Sequence, residues 1–168
     1  MSAVDRWLKW IEYPIHALLW IALAAGLLMM LHISADVTGR TVFNHPLSGT
    51  TEIVSAYYMV ATAYLPWAWI ARNNGNIQVE LFARLLPAKV NAVLDPVVEI
   101  VTVIYVSIFT WETFLRAMQQ TRLGEMWQAG TSFIPVWPSR WLLPLSGGLM
   151  VLYMVLRLAR DLGRRKPG

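Results

Sequence analysis

The sequence predicts an all-α integral membrane protein with four transmembrane helices, and three observations predict it. Hydrophobic residues make up 57% of the 168 positions and charged residues only 14%, against about 25% charged in a soluble domain. Four apolar runs lie at about 14–34, 50–71, 97–118 and 140–158, each near the roughly 20 residues that cross a hydrocarbon layer as a helix. The basic residues that give the net charge of +4 stand between and after these runs. They point to a membrane surface and form no nucleic-acid patch. A chain of this length makes a single domain, 1–168.

The elements follow in order. Residues 4–12 set Val4, Trp7, Leu8 and Ile11 on one helical face and Asp5, Lys9 and Glu12 off it, which predicts an N-terminal amphipathic helix in the membrane interface. The run 14–34 contains a stretch, 17–31, with no polar side chain. It is longer than a signal-peptide core, and Ile33, two positions before Ala35 and so at −3 of a cleavage after it, is a poor context, so the run is read as a retained anchor. The second run carries no charge between Ile53 and Ala71, but Pro66 interrupts it and predicts a kink. After it, Asn76 suits an N-cap, and Ile77, Leu81, Phe82 and Leu85 recur at helical spacing before Pro87. Residues 77–86 are therefore expected to form a second amphipathic interfacial helix.

The third run contains Glu99 and Glu112, and Arg140 and Arg157 close the fourth. Arginine and tryptophan at such ends snorkel or sit in the interface. Trp7, Trp10, Trp67, Trp69, Trp111, Trp137 and Trp141 mostly stand at proposed ends. The runs are continuous and do not alternate, so each span satisfies its own backbone groups as a helix.

Lysine and arginine set the orientation. Ten lie in the two tails and the second loop, and four lie in the first and third loops. Both termini are thus expected in the cytoplasm, and loops 36–52 and 117–139 on the opposite side.

The residues that could carry chemistry are few. The chain has no cysteine, which removes disulfides, thiolate metal sites and thiol catalysis. His16 and His32 lie on one span, sixteen residues or about 24 Å apart. They cannot clamp one haem axially, and they read as interfacial histidines. No phosphate loop, clustered metal ligands or nucleophile–base pair is present. Glu52 and Glu99 stand close to expected helix starts, where a carboxylate complements the helix dipole. Glu112 stands near the far interface, within reach of Arg116 at i+4 or of a partner helix. Gly147-Gly148 favours close helix approach. No repeat is visible, so the residues alone describe an accessory or scaffold subunit that packs on larger membrane partners.

One block is more specific: Asp36-Val37-Thr38-Gly39-Arg40-Thr41-Val42-Phe43, then Pro46, then Gly49-Thr50-Thr51-Glu52-Ile53. It resembles the small membrane (Q-type, DctQ-like) subunit of TRAP transporters, the tripartite ATP-independent periplasmic systems. The likeness continues through Asn74-Gly75-Asn76-Ile77-Gln78-Val79-Glu80, Trp137-Pro138 and the region from Pro144 to Gly148, about residues 14–160 in all. Asn76 departs from the pattern, since histidine is common there.

The resemblance implies a bacterial inner-membrane subunit that is not an enzyme and needs no cofactor. Its partners are a large many-helix membrane subunit, a periplasmic substrate-binding protein and the lipid bilayer, with no nucleic acid. The large subunit carries the substrate and sodium sites and moves like an elevator, and this chain scaffolds it during uptake of an organic acid. Substrate and catalytic residues are not expected here. The motif residues Asp36, Gly39, Arg40, Gly49, Glu52, Gly75 and Pro144 are expected to be structural, with Arg40 and Arg122 as candidates for docking the binding protein. The rival readings are a haem- or quinone-binding anchor of an oxidoreductase and a self-sufficient small transporter.

Overall fold

The computed structural model describes residues 3–73, 88–130 and 132–164. Helix α1 (Ala3–Val42) is followed by α2 (Thr50–Ile53), a π-helical turn (Val54–Tyr58), α3 (Met59–Tyr64) and α4 (Trp67–Arg72). Then come α5 (Ala88–Leu123), strands β1 (Met126–Ala129) and β2 (Ser132–Pro135), a 3₁₀ turn (Trp137–Trp141) and α6 (Leu142–Arg164). Three stretches are long and apolar enough to cross a membrane: Arg6–Val42, Pro96–Leu123 and Trp137–Arg160. They contain the first, third and fourth predicted runs. The second run, 50–71, is helical in consecutive short pieces with no continuous ladder. The interfacial helix expected at 77–86, and Gly75 before it, lie outside the described residues.

The separate N-terminal interfacial helix is corrected. Residues 4–12 are the first turns of α1, and the helix runs through Pro14 without a break. A proline in a helix removes one backbone hydrogen bond, a loss that neighbouring helices compensate. The buried stripe is Leu8, Ile11, Ile15, Leu18 and Ala22, while Trp7 stays 64% exposed. This spacing of three and four residues faces a helical neighbour. Likewise Glu99 is not at a helix start, because α5 begins at Ala88 and carries Pro96 inside it.

The chain runs up, down, up and down. Arg72 at the end of α4 returns to Glu12 near the start of α1, and Glu99 early in α5 meets Arg157 late in α6 at 3.8 Å. At the opposite end Trp141 Nε1 donates to Thr121 Oγ1 at 2.9 Å. The core has two parts: Ile11, Ile15, Ala68, Ala71, Val106, Met150 and Met154 toward the termini, and Leu18, Ala22, Ala61 and Leu65 deeper. Small residues dominate α3 and α4 here, which lets the backbones approach closely.

The ladder breaks at Pro66, between Tyr64 and Trp67, where the proline supplies no N–H. Fully buried Ser146 of α6 donates its hydroxyl to the Leu65 carbonyl at 3.2 Å, satisfying one acceptor that the break exposes. Next to it, a Cβ on Gly147 would lie 2.5 Å from Thr110 Oγ1, whereas one on Gly148 would meet nothing within 4 Å. Only the first of the two glycines mediates close approach.

Candidate functional site

The residues of the specific block come together at the end of the bundle where α1 stops and 50–72 begins. The last turns of α1 release the chain at Val42, and Asn44 adopts φ 50. The loop folds back on the helix: the N–H groups of Phe43 and His45 both donate to the Gly39 carbonyl, at 3.2 and 3.0 Å. A Cβ at residue 39 would lie 2.8 Å from the His45 carbonyl oxygen. This close approach is why position 39 is glycine.

Asp36 pins the same loop. Its Oδ1 accepts from the Leu47 N–H at 2.9 Å, and its Oδ2 accepts from Arg40 Nε at 2.8 Å. The Asp36 side chain is only 8% exposed, while that of Arg40 is 54% exposed. Arg40 thus spends its Nε on Asp36 within α1, and about half of its side chain remains exposed. Gly49 then begins α2 at φ 83, and a side chain there would meet Ile134 Cδ1 at 3.0 Å and Ala129 Cβ at 3.2 Å. Glu52 lies in the first turn of α2, as its favourable interaction with the helix dipole predicts. Pro144 is buried in the first turn of α6, among the positions whose N–H groups have no partner within that helix.

A feature absent from the sequence reading closes this end. The antiparallel hairpin pairs Trp127 with Ile134 and Ala129 with Ser132 on the face toward Gly49. Tyr57, presented by the π-helical turn, donates its hydroxyl to the Pro135 carbonyl at 2.6 Å. Arg140 clamps the base of the hairpin: its Nε and Nη2 donate to Glu125 at 3.0 and 2.8 Å. These bonds hold the Glu125 carboxyl below its usual range despite partial burial. Arg122 is exposed nearby and has no hydrogen-bond or ion-pair partner among the described residues. The two docking candidates thus share one end of the bundle, but no contact joins them.

The opposite end is held by ion pairs. Arg72 donates twice to Glu12 Oε1, at 3.0 and 3.3 Å, and its Nη1 lies 3.3 Å from His16 Nε2. His32 packs edge-on against Tyr58. His16 and His32 therefore each have a structural neighbour of their own.

The arrangement offers a rigid polar cap, a charged opposite end and an apolar belt between them. Its comparison with known families is decisive: the model of the tripartite ATP-independent periplasmic transporters, DctQ component, matches residues 29–164. The chain belongs to the DctQ family. The match includes the corner built by Asp36, Gly39 and Gly49, the hairpin and the whole of α6. No curated protein matches the chain. As a DctQ component the protein is a membrane-spanning TRAP transporter subunit of the bacterial inner membrane, and the family is a transporter component and not an enzyme.

Proposed function

We propose that this chain is the small permease subunit that scaffolds the large membrane subunit and helps dock the periplasmic binding protein during sodium-coupled uptake of a carboxylate. One observation carries the reading beyond family membership: the fold leaves a long apolar surface without an internal partner. Trp20, Leu27 and Met30 on α1 and Val101, Ile104, Ile108 and Trp111 on α5 are all more than half exposed. A subunit with so little internal polar cohesion is suited to be a static wall. All four segments, including 50–72, cross the bilayer in this reading. The termini lie in the cytoplasm, and the corner at Asp36 and the hairpin face the periplasm.

Docking is assigned to the terminal amino groups of Arg40 and to Arg122. A guanidinium fork suits a carboxylate on a soluble partner, and both side chains are exposed on the cap. The test is co-purification from cells that express all three components. A one-to-one complex with the large subunit supports the scaffold. Recovery as a free monomer or homodimer, with uptake unaffected by its deletion, refutes it.

A further inference from the structure

The two exposed helix faces differ in one respect that decides what covers each. On α1 the outward residues from Trp20 to Ile33 include no ionisable side chain. On α5 the exposed residues Val97, Val101, Ile104, Ile108, Trp111 and Leu115 recur at alternating spacings of four and three, as Trp20, Leu23, Leu27 and Met30 do on α1, so both faces have the repeat of a helix–helix seam and the charge tells them apart. Glu112 sits on this face and is itself exposed. Among the described residues it has no hydrogen-bond or ion-pair partner, and neither does Arg116 one turn on.

The depth of Glu112 follows from the helix contacts. Thr110 faces Gly147, so these positions lie at one level. Arg140, in the polar layer with Glu125, is seven residues from Gly147 and at least about 10 Å nearer the hairpin end by helical rise. Glu112 is two residues from Thr110, or about 3 Å in the same direction. The carboxylate helix position therefore lies roughly 7 Å deeper than Arg140. Snorkelling does not rescue it. Side chains lean toward the N-terminus of their helix, and for α5 that direction is further into the bilayer. Lipid supplies no donor at this depth, and a carboxylate left against it is costly. A helix of another protein can supply one.

We propose that the outer face of α5 is the seam for the large membrane subunit, and that Glu112 accepts a hydrogen bond or pairs with a cation on that subunit. The apolar groove beside the seam, about 260 Å³ between Trp67, Ile70, Tyr105, Val106, Phe109 and Met150, receives side chains of the same partner. The outward face of α1 meets lipid. The proposal rests on the scaffold reading and goes further by naming the surface.

Photo-cross-linking in the complete transporter tests it. A photoactivatable phenylalanine derivative replaces Ile108 or Trp111 on α5, and Leu27 or Met30 on α1. Adducts with the large subunit are expected from the α5 positions and not from the α1 positions. Absence of α5 adducts overturns the seam. If the chain still co-purifies with the large subunit in that case, the scaffold reading stands; if it does not, both fall. Glu112→Ala should weaken association with the large subunit roughly thirtyfold or more, read as lost recovery, as for a desolvated charge pair that loses one member, and Glu112→Gln should lose less. The melting temperature of the isolated subunit should not fall with either change, because Glu112 has no partner within the described residues. Recovery at the wild-type level with Glu112→Ala would overturn the polar contact.

Discussion

Gly147→Ala should destabilise the subunit, although glycine in a helix interior ordinarily gains stability on replacement by alanine. The added Cβ would stand 2.5 Å from Thr110 Oγ1 and 3.4 Å from Thr110 Cβ and Cγ2. Threonine is stiff at χ1, so the clash is relieved only by moving α5 or the hydroxyl. Helix propensity favours alanine by about 1 kcal/mol, whereas overpacking of this kind costs about 1–3 kcal/mol. The net loss is on the order of 1 kcal/mol, about 2–4 °C in melting temperature for a chain of this size. Thr110 supplies the control. Its Oγ1 is buried without a hydrogen-bond partner, while Thr102, Ser107 and Thr121 on the same helix all donate to the carbonyl four residues back. Thr110→Ala loses a methyl but also an unsatisfied hydroxyl, and these roughly cancel. In that background Gly147→Ala should raise the melting temperature. The assay is thermal unfolding of the four proteins in one mild detergent. The same sign and size for Gly147→Ala in both backgrounds would refute the contact.

Three further outcomes follow from the geometry. Arg140 lowers the pKa of Glu125 from its ordinary 4.5, so the pair stabilises the hairpin above that pH and its contribution disappears as pH falls through the folded value. Arg140 is 45% exposed, so the effect is below about 1 kcal/mol. It should appear as faster hairpin amide exchange in acid, corrected for intrinsic rates, and vanish in Arg140→Gln. Arg40→Glu should weaken uptake at limiting binding-protein concentration and recover with excess, with assembly intact and Arg40→Lys milder; unchanged uptake at low concentration removes the docking role, and lost assembly makes the residue structural. Reporter fusions at residues 1, 80 and 168 should read cytoplasmic and those near 45 and 128 external, and a cytoplasmic signal at 45 would overturn the four-span topology.

Long apolar runs made three helices legible, because hydropathy over some twenty residues leaves a chain little choice in lipid. The Asp36–Arg40 contact is legible in their i,i+4 spacing only because α1 continues to Val42. What Asp36 does with its other oxygen was not legible, because the Leu47 N–H is eleven residues away and arrives only when the loop folds back on Gly39. The expected runs start at 14 and 97, yet the helices begin well before, and Pro14 and Pro96 lie inside them, since one lost backbone bond is small against packing on neighbours. The hairpin escaped a search for continuous apolar runs because its strands are four residues each. Gly130, at φ 60 between them, was the available signal. The π-helical turn at Val54–Tyr58 has no local signature, and its role emerges only where Tyr57 reaches Pro135, 78 positions away.

Uptake by proteoliposomes tests the central claim most directly. The large subunit and the binding protein are reconstituted with an inward sodium gradient and a carboxylate substrate, with and without this chain. Uptake should require all three components and should be lost when this chain alone is omitted. Full uptake without it, or uptake by this chain without the large subunit, would contradict the account.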